Sequence, residues 1–234
     1  MSAAILALLL ALPLAVTSVP VDEIDDGIAS LEKAIKEKAK PDIKHYLTLL
    51  ADKYASAKPE QKKNILRLDG LVLNNADQEL KDAAVEAVAR TDAAGVALLV
   101  KELDKKPTED NMAYMAAVIK AIGRLKDPKA GQDRLLKLLK HKSIDVVAFA
   151  TEALANYKEA PMEAKKEIFD DILKIYASIA SAANEPRDST AKAKLTKLQP
   201  AADETLRNLT GQSLKGAIDW QKWWNDTGKK AAKW

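Results

Sequence analysis

The chain of 234 residues contains no cysteine. Disulfides cannot staple it, and a lipid-modified cysteine cannot anchor it. Glycine (8) and proline (9) are scarce, and only 11 residues are aromatic. That balance excludes collagen-like and turn-rich disordered chains. It also argues against a β-sandwich or barrel, which needs frequent turn residues and many β-branched or aromatic side chains. The excess falls on alanine (41) and leucine (30). With lysine and glutamate these are the strongest helix formers, so composition points to an all-α protein.

Charge of one sign is also lacking. Lys+Arg is 37 against 34 for Asp+Glu, a net charge of +3. Five lysines and two aspartates in residues 215–234 account for all of it. Only 6 of the basic residues are arginine. A nucleic-acid binder concentrates basic charge on one face and favours arginine, so no nucleic-acid partner is expected. Interspersed lysine and glutamate read as solvated helix faces.

Long apolar runs are absent except at the start. Ala3 to Val16 is free of charge over 14 residues. A membrane span needs about 20 residues, whereas a signal-peptide core needs about 7–15. Pro13 breaks this run, and Val16-Thr17-Ser18 offers small residues at a cleavage site. Residues 1–18 are read as a signal peptide cleaved after Ser18. The product is then exported, periplasmic or extracellular, with no stable membrane anchor.

From Ile24 the chain reads as amphipathic helices separated by short breaks. The expected spans are 24–39, 41–56, 59–74, 77–90, 92–104, 109–126, 128–141, 144–158, 161–183, 188–209 and 215–227. Pro41, Pro59, Pro107, Pro128, Pro161 and Pro186 fall at their starts or breaks.

Three segments, 80–106, 111–142 and 146–176, superimpose as a repeat. Ala87-Val88, Ala121-Ile122 and Ala153-Leu154 align, at spacings of 34 and 32. Each segment opens with an alanine-rich helix, turns at Asp92, Asp127-Pro128 or Ala160-Pro161, and closes with a helix rich in leucine or isoleucine. A two-helix period of about 30–45 residues signals an α-solenoid. The small first-helix residues are expected to let the paired helix approach closely.

The pattern A-x-x-A-(I/L), D-P, L-L-x-L-L over residues 77–180 resembles the HEAT-repeat family. Leu209-Thr210-Gly211-Gln212, followed by Trp220-Gln221-Lys222-Trp223-Trp224, resembles the ending of secreted bacterial HEAT-repeat proteins. The resemblance implies a scaffold rather than an activity. The expected architecture is one all-α domain, a right-handed superhelical stack of antiparallel helix pairs. Its parts are 22–75 (degenerate N-terminal hairpins), 76–184 (HEAT-like repeats) and 185–234 (capping helices).

All four tryptophans lie in the last 15 residues. Trp220, Trp223 and Trp224 stand at i, i+3 and i+4, one stripe of a helix. With Trp234 and Lys222 they form the candidate site, either an anchor for the last helix or an aromatic platform for a ligand.

Chemistry-bearing motifs are few. His45 and His141 lie in no metal-ligand spacing, and the acidic run Asp22–Asp26 fails the register of a calcium loop. That run reads instead as charge favouring a helix N-terminus. Dinucleotide and phosphate-loop motifs are missing, and no metal or cofactor is expected. The expected function is a non-enzymatic scaffold acting as a single copy on a protein partner. The alternatives are an enzyme on the same scaffold, resembling the HEAT-like DNA glycosylases, or a glycan or pigment binder using the tryptophans.

Overall fold

The computed structural model describes residues 22–234. The expected signal peptide lies outside the described residues. Within them the chain is an all-α solenoid, and no strand is present.

The helices are α1 (Glu23–Glu37), α2 (Lys40–Lys53), α3 (Pro59–Leu73), α4 (Gln78–Val88), α5 (Val96–Leu103), α6 (Lys106–Asp110), α7 (Met112–Leu125), α8 (Ala130–Leu138), α9 (Ile144–Leu154), α10 (Met162–Ala183), α11 (Ser189–Thr210) and α12 (Ala217–Trp223). Their bounds follow local chemistry. Asp22, Asp77 and Asp188 accept hydrogen bonds from the first turns of α1, α4 and α11. Such caps satisfy backbone donors that the helix leaves orphaned. Lys38 and Lys126 end α1 and α7 in the left-handed region. α11 runs through Pro200, which sits on its exposed face beside the buried Leu198, Ala201 and Ala202. Tertiary packing offsets the backbone hydrogen bond that a helical proline removes.

One expected helix divides. Residues 109–126 form the end of α6 and all of α7. Asn111 is extended and accepts a hydrogen bond from Tyr114 N at 3.1 Å, so it caps α7 and interrupts the helix.

The helices form two layers around one continuous core. α1, α3, α5, α8, α10 and α12 make the first layer. α2, α4, α7, α9 and α11 make the second and pack on one another in unbroken succession. First-layer helices lie further apart: the backbones of α3 and α5, and of α8 and α10, approach little and meet through side chains such as Gln132 and Glu167, at 3.1 Å. A stack that is tight on one side and open on the other curves, so the second layer is the inner face.

This packing revises the phase of the repeat. The intimate pairs are α1/α2, α3/α4, α5/α7, α8/α9 and α10/α11. They are offset by one helix from the segments aligned in the sequence. The alanine-rich helices α4, α7 and α9 are therefore neighbours in the inner layer. Their small residues serve that stacking: a Cβ placed on Gly123 of α7 would lie 2.7 Å from the carbonyl oxygen of Ala153 in α9.

Buried tyrosines tie the units together. Tyr54 bonds to Asp92 (3.1 Å), and Tyr157 to the Asp127 carbonyl (3.0 Å). Both acceptors stand at turns expected from the sequence. Tyr114 donates to Glu102 at 3.1 Å, and Lys81 and Lys105 pair with the same buried carboxylate. Desolvation and the facing carboxylates push the Tyr54 and Tyr114 hydroxyl pKa values up.

Candidate interaction surfaces

The candidate tryptophans converge on one ring. α11 ends at Gly211 (φ 72°), the chain turns again at Gly216 (φ 81°), and α12 returns across α10. Phe169 of α10 is fully buried beneath it. Trp224 stacks on Phe169 with centroids 4.5 Å apart. Trp220, Trp223 and Trp234 meet the same ring at 5.9, 5.4 and 5.5 Å. Trp220 and Trp224 are buried, whereas Trp223 and Trp234 are half-buried.

Three indole N–H groups are already spent. Trp220 donates to Asp203 (2.9 Å), Trp224 to Asp170 (3.1 Å) and Trp234 to the Gly228 carbonyl (3.1 Å). Buried donors need such partners. Gly228 follows from the crowding, since a Cβ there would come within 2.6 Å of Trp223. Lys222 points elsewhere: it is exposed on α12 and lines a groove between α10, α11 and α12. The aromatic partners Phe169, Asp170 and Asp203 lie far upstream on other helices. No local sequence signal marks them.

Asp203 is a second centre. Besides Trp220 it accepts from the Tyr176 hydroxyl and the Gly216 amide, both at 3.1 Å. The carboxylate thus joins α10, α11 and α12. Desolvation and this carboxylate push the Tyr176 hydroxyl pKa up.

The inner face carries a ladder of charges. Arg90, in the turn just past α4, bonds to Asp52 of α2 at 2.7 Å and approaches Glu86 of α4 at 3.5 Å. Arg124 of α7 holds Glu86 with two nitrogens, at 3.0 and 2.8 Å. Both cross-helix pairs span 38 residues. Glu86 follows Asp52, and Arg124 follows Arg90, by 34 residues. The ladder is written in the repeat.

At the next rung the pattern changes. In repeat register Lys120 stands where Glu86 stood, and Asn156 where Arg124 stood. No ion pair is made by Lys120 or by Glu152 among the described residues. Lys120, Arg124, Glu152, Ala153 and Asn156 line a slot of about 390 Å³ between α7 and α9. Asn156 donates to the Ala153 carbonyl at 3.0 Å. The slot can therefore offer one cation, one carboxylate and an amide oxygen to an incoming chain.

His45 is exposed, and His141 accepts a hydrogen bond from the Ser143 amide at 3.1 Å. Among the described residues no three His, Cys, Asp or Glu side chains are placed to hold a metal ion. No helix among them is long and apolar enough to cross a membrane.

No protein-family model matches the chain, and no curated protein matches it. Solved structures similar to it include an engineered protein from the Northeast Structural Genomics Consortium, at 21% identity and a TM-score of 0.47. That match covers 88% of this chain and 90% of that one. A designed armadillo repeat protein in complex with the peptide (KR)4 is similar at 18% identity and a TM-score of 0.39. It covers 88% of this chain and 93% of that one.

Proposed function

We propose that the chain is an exported, non-enzymatic repeat scaffold of the HEAT type that binds a protein partner on its inner face. One observation carries this reading: the charge ladder closes on itself between α2, α4 and α7 and is left open at the slot between α7 and α9. Paired surface charges contribute little to association, whereas unpaired ones facing a recess are available to a partner. A curved inner layer offers the extended surface that solenoids use for binding.

The slot favours a polypeptide over a nucleic acid, because Lys120 and Glu152 present both signs of charge. A polar segment with an acidic and a basic side chain satisfies both. The test is capture of partners from the exported fraction on immobilised protein, with the double reversal Lys120→Glu/Glu152→Lys as control. Capture by the wild type and loss in the variant are expected. Equal capture by both would contradict the assignment.

Export rests on the Ala3–Val16 run. N-terminal sequencing of the protein from its source should begin at Val19; an intact Met1 would overturn it.

A further inference from the structure

The stack ends in an incompletely covered layer. α10 and α11 are each 22 residues long, about 33 Å, whereas α12 has 7 residues and spans about 10 Å. α12 covers the part of α10 around Phe169 and stops. Beyond it the second half of α10 presents Ala177 and Ala180, and the first half of α11 presents Leu195. These three are half-buried, and with α12 they line a groove of about 790 Å³.

At the rim of this groove stands Ile218. It is 79% exposed, more than any other large apolar side chain among the described residues. Single exposed apolar residues are ordinary, but this one adjoins a recess of a size to receive it, in which Ala177, Ala180 and Leu195 lie beside the polar Ser181, Asn184 and Gln199. Lys215, Asp219 and Lys222 border the same recess. All three are exposed, and none makes an ion pair among the described residues.

We propose that this end groove seats a second copy of the chain, docked tail to tail about a two-fold axis. The occupant follows from self-complementarity. The patch carries a knob (Ile218) and a hole (Ala177, Ala180, Leu195), and it carries a carboxylate beside two ammonium groups. With the two-fold axis passing between Ile218 and the Ala177–Ala180–Leu195 hole, each feature meets its complement on the other copy, the requirement for an isologous interface. Asp219 of each copy then meets the Lys215–Lys222 side of the other, and Ile218 of each enters the other's groove. A partner of a single charge sign would satisfy only part of the patch. The surface lies at the end of the solenoid, away from the inner slot, so this association is independent of partner binding there. It differs from the single-copy state expected from the sequence.

The test is sedimentation velocity of the wild-type protein from low-micromolar to near-millimolar concentration. A reversible shift towards twice the chain mass is expected. Ile218→Asp removes the knob, and Ala180→Arg fills the hole. Each should weaken association at least about tenfold, from the burial one isoleucine contributes. Because Ile218 is exposed, its variant should keep the wild-type melting curve, so loss of dimer is not loss of fold. Asp219→Lys and Lys222→Asp should each weaken association, and the double reversal should recover part of it. A wild type that stays monomeric at every concentration would overturn the proposal. So would a dimer unchanged by both Ile218→Asp and Ala180→Arg.

Discussion

Trp220 donates its indole N–H to Asp203 at 2.9 Å, and both residues are buried. The same carboxylate receives Tyr176 and the Gly216 amide. The end of the solenoid is thus held by an aromatic cluster and by a buried acceptor, with Trp220 common to both. Asp203→Leu strands three donors. A loss of about 3–5 kcal/mol is expected, from leaving three donors without a partner at a buried site. In thermal unfolding that is a fall in Tm of about 10 °C or more for a chain of this size. Trp220→Phe keeps most of the ring packing and should cost about 1.5–3 kcal/mol. Equal melting of wild type and Asp203→Leu would contradict the role given to this carboxylate.

Trp223 separates the two readings of the tryptophan stripe. It is half-buried against Phe169, and truncation to alanine empties that contact. A fall in Tm of several degrees is expected from the lost aromatic packing. Unchanged stability together with loss of a bound ligand would favour an exposed platform instead.

Gly123 tests the inner layer. A methyl group there would collide with the backbone and Cβ of Ala153, at 2.7 and 2.8 Å. Backbone cannot swing aside, so Gly123→Ala should destabilise by about 1–3 kcal/mol despite its better helix propensity. A stabilised variant by urea denaturation would mean that α7 and α9 do not approach so closely.

Asp69 gives a pH dependence. It lies in α3, is 1% exposed, and neither carboxyl oxygen has a hydrogen-bond partner. Desolvation pushes its pKa up to about 8 from 3.8. The folded chain therefore holds a proton that the unfolded chain releases. The stability tied to it is full below about pH 4 and drains away as pH rises to about 8, at up to about 1.4 kcal/mol per pH unit. Asp69→Asn removes this dependence. It should melt higher than the wild type at pH 8 and close to it at pH 4. A gap of the opposite sign, or one that does not grow with pH, would exclude a buried neutral carboxyl.

Much of this architecture is legible in the sequence because helices are local. Proline positions and the spacing of apolar residues mark ten of the helices to within a few residues. Asn111 was the exception, since an asparagine inside an amphipathic run gives no sign of whether it caps or continues. The phase of the repeat is hidden for a different reason. Alanine-rich and leucine-rich helices alternate, and alternation alone fits either pairing; the closer packing of α5 on α7 and of α8 on α9 decides it. The tryptophan stripe was visible as a local pattern, but its partners Phe169 and Asp203 are isolated residues on distant helices. The ladder had a signal in the sequence. Asp52, Glu86, Arg90 and Arg124 recur at the repeat spacing, and the substitution of Lys120 and Asn156 at the next step marks the slot.

The most direct test of the scaffold is quantitative capture from the exported fraction on three proteins in parallel: wild type, Lys120→Glu/Glu152→Lys and Ile218→Asp. All three should show the same melting temperature within about 2 °C, because every changed residue is exposed. The expected result is one protein retained by the wild type and by Ile218→Asp, and lost from the inner-face variant. A partner retained equally by the inner-face variant, or none retained by any of the three, would contradict binding at the slot between α7 and α9.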